Sequence, residues 1–101
     1  MANTAKVLFR GAATTNTGTT LYTVPAATTT VITNIVVTNT SSAPATFTLS
    51  LDDIQFAPAV AVDGYSMTTL DVKQVIAASQ TIKGGASAAT VNIHISGMEI
   101  T

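Results

Sequence analysis

The sequence predicts an all-β domain, a single antiparallel β-sandwich of jelly-roll type built from about eight short strands. Three observations carry that prediction. In residues 45–51, Phe47, Leu49 and Leu51 alternate strictly with Thr46, Thr48 and Ser50, the pattern of a strand with one buried face. In residues 91–96, Val91, Ile93 and Ile95 alternate with Asn92, His94 and Ser96 in the same way. Residues 20–42, TLYTVPAATTTVITNIVVTNTSS, contain no charged side chain, yet more than half of them are Thr, Asn, Ser or Tyr. Such a segment is neither a membrane span nor an ordinary solvated surface, and its β-branched content points to strands and tight turns.

Taken in order, the first candidate strand is residues 7–10. The Thr-rich residues 13–20 follow and read as a loop or loose arm. Residues 21–24 form a short second strand ended by Pro25. Between residues 29 and 39 apolar side chains occupy both faces (Val31, Ile32, Ile35, Val36, Val37), which predicts a central strand covered on both sides. The run SSAP separates it from residues 45–51, and Asp52-Asp53 then closes that strand, where Asp is common because its side chain supports turns. Further strands are predicted at residues 54–61, 67–72 and 75–82, separated by Asp63-Gly64 and ended by a turn at Gly84-Gly85. Residues 70–78, LDVKQVIAA, also fit one or two helical turns. In the last strand the alternation of residues 91–96 is interrupted by Gly97, after which Met98 and Ile100 continue in the opposite phase; a glycine at such a point predicts a bulge or bend. The domain reading is an arm or first strand over residues 1–18 and the sandwich over residues 19–101.

The 101 residues make one domain, with 47% apolar side chains but only 9% charged ones against a usual figure of roughly 25%. Four cations and five anions nearly cancel to −1, so little charge opposes association. Lys6, Arg10, Lys73 and Lys83 are scattered, and three Phe and two Tyr are few for base stacking, so nucleic acid is an unsuitable partner. No Cys is present, which excludes disulfides, thiolate metal sites and a Cys nucleophile. The N-terminus lacks a basic start followed by an apolar run, and no stretch reaches about 18 consecutive apolar residues. A soluble protein made in the cytosol, with no membrane partner, is expected.

The residues that could carry chemistry are few. His94 is the single histidine and lies on the polar side of its strand with no second soft ligand, so no metal is expected there. No G-x-S-x-G elbow presents a serine nucleophile. Asp52-Asp53 lacks the regularly spaced oxygen ligands of a calcium loop. Gly84-Gly85 is not followed by the Lys-Ser or Lys-Thr of a phosphate loop. The expectation is a protein without catalytic residues, metal or cofactor.

Three stretches already marked resemble the small virion proteins of tailed bacteriophages: TLYTVPA at residues 20–26 leading into the Thr- and Val-rich residues 31–41, IQFAPAVAVDGY at residues 54–65, and the ending GMEIT at residues 97–101. The order and spacing extend over nearly the whole chain from about Thr19. The resemblance implies a non-enzymatic β-sandwich subunit of a virion, assembled in the host cytoplasm and often trimeric, with Tyr22, Pro25, Asn39, Gly97 and Glu99 at the structural positions of the shared motifs. Its partners would be its own copies and phage capsid or tail proteins. LDVKQVIAA departs from the more plainly alternating strand of that family, and residues 1–12, MANTAKVLFRGA, are individual to this chain.

Two readings of location follow. One is a capsid decoration subunit attached to the head as a homotrimer. The alternative is a tail-associated subunit, or a module binding a receptor or carbohydrate, for which Tyr22 and Tyr65 are the tyrosines able to stack on a sugar and Tyr22 reads as core or interface. Docking on the particle is assigned to Lys6, Val7, Leu8, Phe9 and Arg10, which combine two of the four cations with apolar side chains in the segment outside the family-like region. The competing reading makes residues 7–10 simply the first strand.

Overall fold

The computed structural model describes residues 3–70 and 73–101. Nine strands occupy them: β1 (Asn3–Ala12), β2 (Thr20–Thr23), β3 (Thr29–Asn39), β4 (Ala45–Leu51), β5 (Ile54–Val62), β6 (Met67–Leu70), β7 (Gln74–Ile76), β8 (Thr81–Ala86) and β9 (Val91–Ile100). Every pairing is antiparallel. One sheet runs β1-β9-β3-β6, with β7 continuing along the edge of β3 beyond β6; the other runs β2-β8-β4-β5. Leaving the three-residue β7 aside, the chain pairs first with last (β1 with β9), second with next-to-last (β2 with β8), then β3 with β6 and β4 with β5. That is one long hairpin rolled across two sheets, the jelly roll.

The core lies between the sheets. From the first come Ile32, Ile35 and Val37 of β3 and Val91, Ile93 and Ile95 of β9; from the second, Phe47 and Leu49 of β4 and Ile82 of β8, each at most 1% exposed. The threonines that alternate with Phe47 and Leu49 lie on the outer surface of β4, as the period of two requires. Asp52 and Asp53 have φ of 51° and 63°, the left-handed pair of a two-residue hairpin turn that joins Leu51 to Ile54. Asp is among the residues that tolerate it.

Several sequence expectations change here. Gly84 and Gly85 are not a turn but buried residues in the middle of β8. A Cβ on Gly84 would lie 2.6 Å from the Thr48 carbonyl oxygen and 2.5 Å from Leu49 Cδ2, and one on Gly85 would lie 2.5 Å from the Asn16 carbonyl oxygen. Glycine is required because other backbone and side chains press on the strand, not because the chain reverses. What presses on Gly85 is the Thr-rich segment, which is tied down rather than loose: Ala86 N–H donates to Thr14 O (2.9 Å), Gly84 N–H to Thr19 O (2.9 Å) and Ala13 N–H to Val91 O (2.7 Å).

The predicted strand over residues 75–82 is two strands split at Ala77–Gln80. Ser79 there has φ of 70°, Gln80 N–H donates to Ala77 O, and the Gln80 side-chain carbonyl accepts from Ala77 N–H at 2.8 Å. No helix occurs among the described residues, so LDVKQVIAA supplies the end of β6 and all of β7, with residues 71 and 72 outside the described residues.

Gly97 carries no phase change of its own, and the bulge expected at it lies in the strands paired with it. The residue is buried in phase with Val91, Ile93 and Ile95, and β9 passes straight through it. The irregularities fall in its neighbours, where Leu8 of β1 and Thr33 of β3 are extra residues against β9. A Cβ on Gly97 would lie 2.5 Å from Val31 O and 2.8 Å from Leu8 Cδ1. The glycine leaves room for Leu8, which the β1 bulge turns into the core.

Candidate interaction face

In an antiparallel pair directly opposed residues share a face, so the registers map the outer surface of the β1-β9-β3-β6 sheet. One row crosses it as Ala5–Met98–Val31–Val75. Beside it lie Asn3–Ile100–Thr29 on one flank and Val7–Ser96–Asn34 on the other. Two further rows follow, Arg10–His94–Val36–Thr69 and Ala12–Asn92–Thr38–Met67. Three of the exposed large apolar side chains stand here: Val7 (46% exposed), Met67 (65%) and Val75 (69%). Arg10 is the single formal charge in these rows, and it has no ion-pair partner among the described residues.

The outer surface of the other sheet is different in kind. Thr46, Thr48 and Ser50 of β4 stand opposite Ala61 of β5, Gly85 and Lys83 of β8, with Gln55 and Thr20 alongside. Lys83 is paired with Asp53 at 2.6 Å. A sandwich ordinarily carries polar residues on both outer faces; here the β1-β9-β3-β6 face also carries an unbroken apolar row, Ala5–Met98–Val31–Val75, with Ile100 and Val7 beside it, among polar residues such as Asn34, Asn92 and Thr38. The expectation that β3 is covered on both sides is corrected accordingly: Ile32, Ile35 and Val37 face the core, whereas Val31 and Val36 face outward with no other element of the chain over them among the described residues.

The free edges are unequal too. β2, β6 and β7 are four, four and three residues long, and β5 is interrupted by Pro58, by register shifts and by Ala59 at φ 44°. Such short or bulged strands resist edge-to-edge pairing. β1 is ten residues long with one bulge.

At the end of the sandwich where Asn3 pairs with Ile100, Tyr22, Thr30, Glu99 and Lys6 form a polar cluster between the sheets. The Tyr22 hydroxyl donates to Glu99 Oε2 and contacts Thr30 Oγ1 at 2.9 Å, while Lys6 Nζ lies 3.3 Å from the same carboxylate. Tyr22's hydrogen bond, with help from Lys6, holds the Glu99 carboxyl below its ordinary range against the opposing effect of burial. Burial first, and the Glu99 carboxylate next, push the Tyr22 phenol up. At the opposite end Asn39, 2% exposed, uses its whole amide: Nδ2 donates to Ala43 O (2.8 Å) and Val62 O (3.3 Å), and Oδ1 accepts from Ser41 N–H and Thr90 Oγ1 at 3.1 Å each.

The structure therefore joins Tyr22 and Glu99, marked separately in the sequence, and gives Asn39 and Gly97 packing roles; Pro25 is exposed after β2. Lys6, Val7, Leu8, Phe9 and Arg10 all lie in β1, which is paired with β9 along its length. Leu8 is in the core, Phe9 packs against it and Lys6 is committed to Glu99, which leaves Val7 and Arg10 pointing outward. His94 stands beside Arg10. The described residues form no pocket and no group of three His, Asp or Glu able to hold a metal. What the sequence reading missed is the apolar row on the outer face, because it is assembled from β1, β9, β3 and β7 and exists only once the registers are known. Comparison of the chain with protein-family models, with curated proteins and with solved structures finds no match in any of the three.

Proposed function

We propose that the chain is a non-enzymatic structural subunit of a bacteriophage virion, acting as a homotrimeric decoration protein attached to the head. The observation that carries this reading is the apolar row Ala5–Met98–Val31–Val75, with Val7 and Ile100 beside it, on the outer face of the β1-β9-β3-β6 sheet, in a chain with few charges anywhere. A surface of that kind calls for a protein neighbour. The sequence resemblance supplies the kind of assembly, and the jelly roll is an architecture that capsid proteins use.

The test is reconstitution. Purified protein is added to particles that lack it, and bound copies are counted after the particles are re-isolated. Saturable binding of hundreds of copies supports the decoration role; no binding contradicts it.

One observation favours the tail or receptor-binding reading. Tyr65 is 77% exposed on the β5–β6 loop with φ of 53°, an unfavourable conformation for a bulky residue, and its N–H is fixed to Ser41 O at 2.9 Å. A rigidly presented tyrosine is a stacking surface for a sugar ring. Copies confined to the tail, together with glycan binding lost in Tyr65→Ala, would favour that reading.

A further inference from the structure

We infer that the outer face of the β1-β9-β3-β6 sheet, with its apolar Ala5–Met98–Val31–Val75 row, lines the three-fold axis of a homotrimer, with the three sheets forming the walls of a triangular prism. The inference rests on the homotrimer reading and adds to it which surface each copy contributes and what it meets. The occupant of the face is a second and a third copy of this chain.

Dimensions support closure at three. Four strands at ~4.8 Å spacing make a wall ~19 Å wide, in keeping with the 21 Å intermediate extent of the molecule. A triangle of that side has its centre ~5.5 Å from each wall, about half the ~10 Å separation of two packed sheets. Side chains of the size of Met98, Val31 and Val36 thus reach the axis, together with the polar Asn34, Ser96 and His94 of the same two strands.

The area is adequate as well. Ten residues of strand at ~3.3 Å make the wall ~33 Å long, or roughly 600 Å² of flat surface per copy. Side-chain relief raises this toward the ~800 Å² per partner of a standard interface. Arg10, the one formal charge of these rows, stands on the edge strand β1, so at a corner of the prism its long side chain can keep the guanidinium in water.

The edges decide between two copies and three. In a face-to-face pair the long edge of β1 stays open on both molecules. In the prism each corner sets β1 of one copy against β6 and β7 of the next, so the least protected edge is covered by the shortest strands. With the axis roughly along the strands, heights are preserved between copies, and Ala5 of one copy meets Val75 of its neighbour because both belong to one row. Val7 and Arg10, the outward side chains of the expected docking segment, become contacts between copies.

The test compares the mass in solution of the wild type with that of Val7→Asp and Val75→Asp. Both positions are already exposed in the single chain, so the variants keep the fold, which circular dichroism checks. Gln55→Asp on the polar sheet is the control. The expected result is a wild type and control of three times 10.3 kDa, about 31 kDa, and variants whose mass falls to one third.

A double variant, Ala5→Cys with Val75→Cys, adds a geometric readout in a chain with no native cysteine. Oxidation should give covalent trimers, and neither single variant should. A trimeric wild type with trimeric aspartate variants and no crosslink overturns the prism while leaving the homotrimer reading intact. A monomeric wild type overturns both, and a dimeric wild type overturns the three-fold closure.

Discussion

Replacing Gly97 by alanine adds one methyl group at the place where β1, β3 and β9 come together. The new Cβ would lie 2.5 Å from the Val31 carbonyl oxygen and 2.8 Å from Leu8 Cδ1. An ordinary carbon–oxygen contact is about 3.3 Å or more, so the strands must separate by several tenths of an ångström. Leu8 can retreat only by leaving the core, where it is 7% exposed. Overpacking of this kind costs about 1–3 kcal/mol. Lower chain entropy in the unfolded state offsets about 0.4–1 kcal/mol of that, which brackets the net loss between about 0 and 2.6 kcal/mol; because the nearer contact is the Val31 backbone, which cannot rotate away, about 1–2 kcal/mol is expected. In a domain of this size each kcal/mol moves Tm by about 4–8 °C, so the fall should be roughly 5–15 °C.

Thermal unfolding followed by circular dichroism measures it, at one fixed protein concentration because the proposed assembly would make Tm concentration-dependent. Gly11→Ala is the internal control. It lies in β1, and its added Cβ would meet nothing closer than the Phe9 ring at 3.6 Å, so it should leave Tm unchanged or raise it. Combining Gly97→Ala with Leu8→Ala should cost less than the sum of the two single changes, because they share one volume. A Gly97→Ala protein as stable as the wild type would refute the argument that close approach selects the glycine.

Four other outcomes follow from the same geometry. Tyr22→Phe removes the hydroxyl bound to Glu99 and should cost about 1–2 kcal/mol in denaturant unfolding at neutral pH. Because folding lowers the Glu99 pKa, the stabilisation is present above the ordinary glutamate range and is lost as pH falls through the lowered value; Tyr22→Phe should flatten that acid limb. The Tyr22 pKa is raised in the fold, so its contribution is complete below the ordinary tyrosine value of 10.0 and is lost as pH rises through the folded value, an alkaline limb absent from Tyr22→Phe. Asn39→Ala strands the partners of a buried amide and should lower stability by about 2–3 kcal/mol, measured by urea unfolding. Gly85→Ala should push away the residue 14–16 backbone, seen as faster amide exchange at Ala86, whose N–H is bonded to Thr14 O. Deleting residues 2–12 removes β1 with Leu8 and Phe9, so the shortened chain should be insoluble rather than folded, which expression and fractionation check.

The features legible in the sequence are those that depend on neighbours in the chain. Alternation at Phe47–Leu49–Leu51 and Val91–Ile93–Ile95 marks β4 and β9, because a strand imposes its period on the residues that form it. Asp52-Asp53 is legible as a turn for the same local reason. What escapes is set by contacts distant in sequence. Gly84-Gly85 carries the composition of a turn, but its glycines answer to Thr48, Leu49 and Asn16. Gly97 looks like a break in phase because Met98 and Ile100 are apolar, yet they are outward residues of the sheet, while Glu99 turns inward to Tyr22. Val31 and Val36 imply a cover over β3 that no described part of the chain provides. In each of these cases an apolar or small residue stands where a single-chain reading expects something else, and the register or the neighbouring backbone supplies the reason.

The most direct test of the central claim, that this chain is a virion subunit held in place by protein contacts, is the number of its copies on the purified parent particle, by quantitative mass spectrometry against the major capsid protein. The account predicts hundreds of copies per particle, in a multiple of three at the symmetry sites of the shell. Absence of the chain from particles, or a handful of copies confined to the tail, would contradict the decoration role.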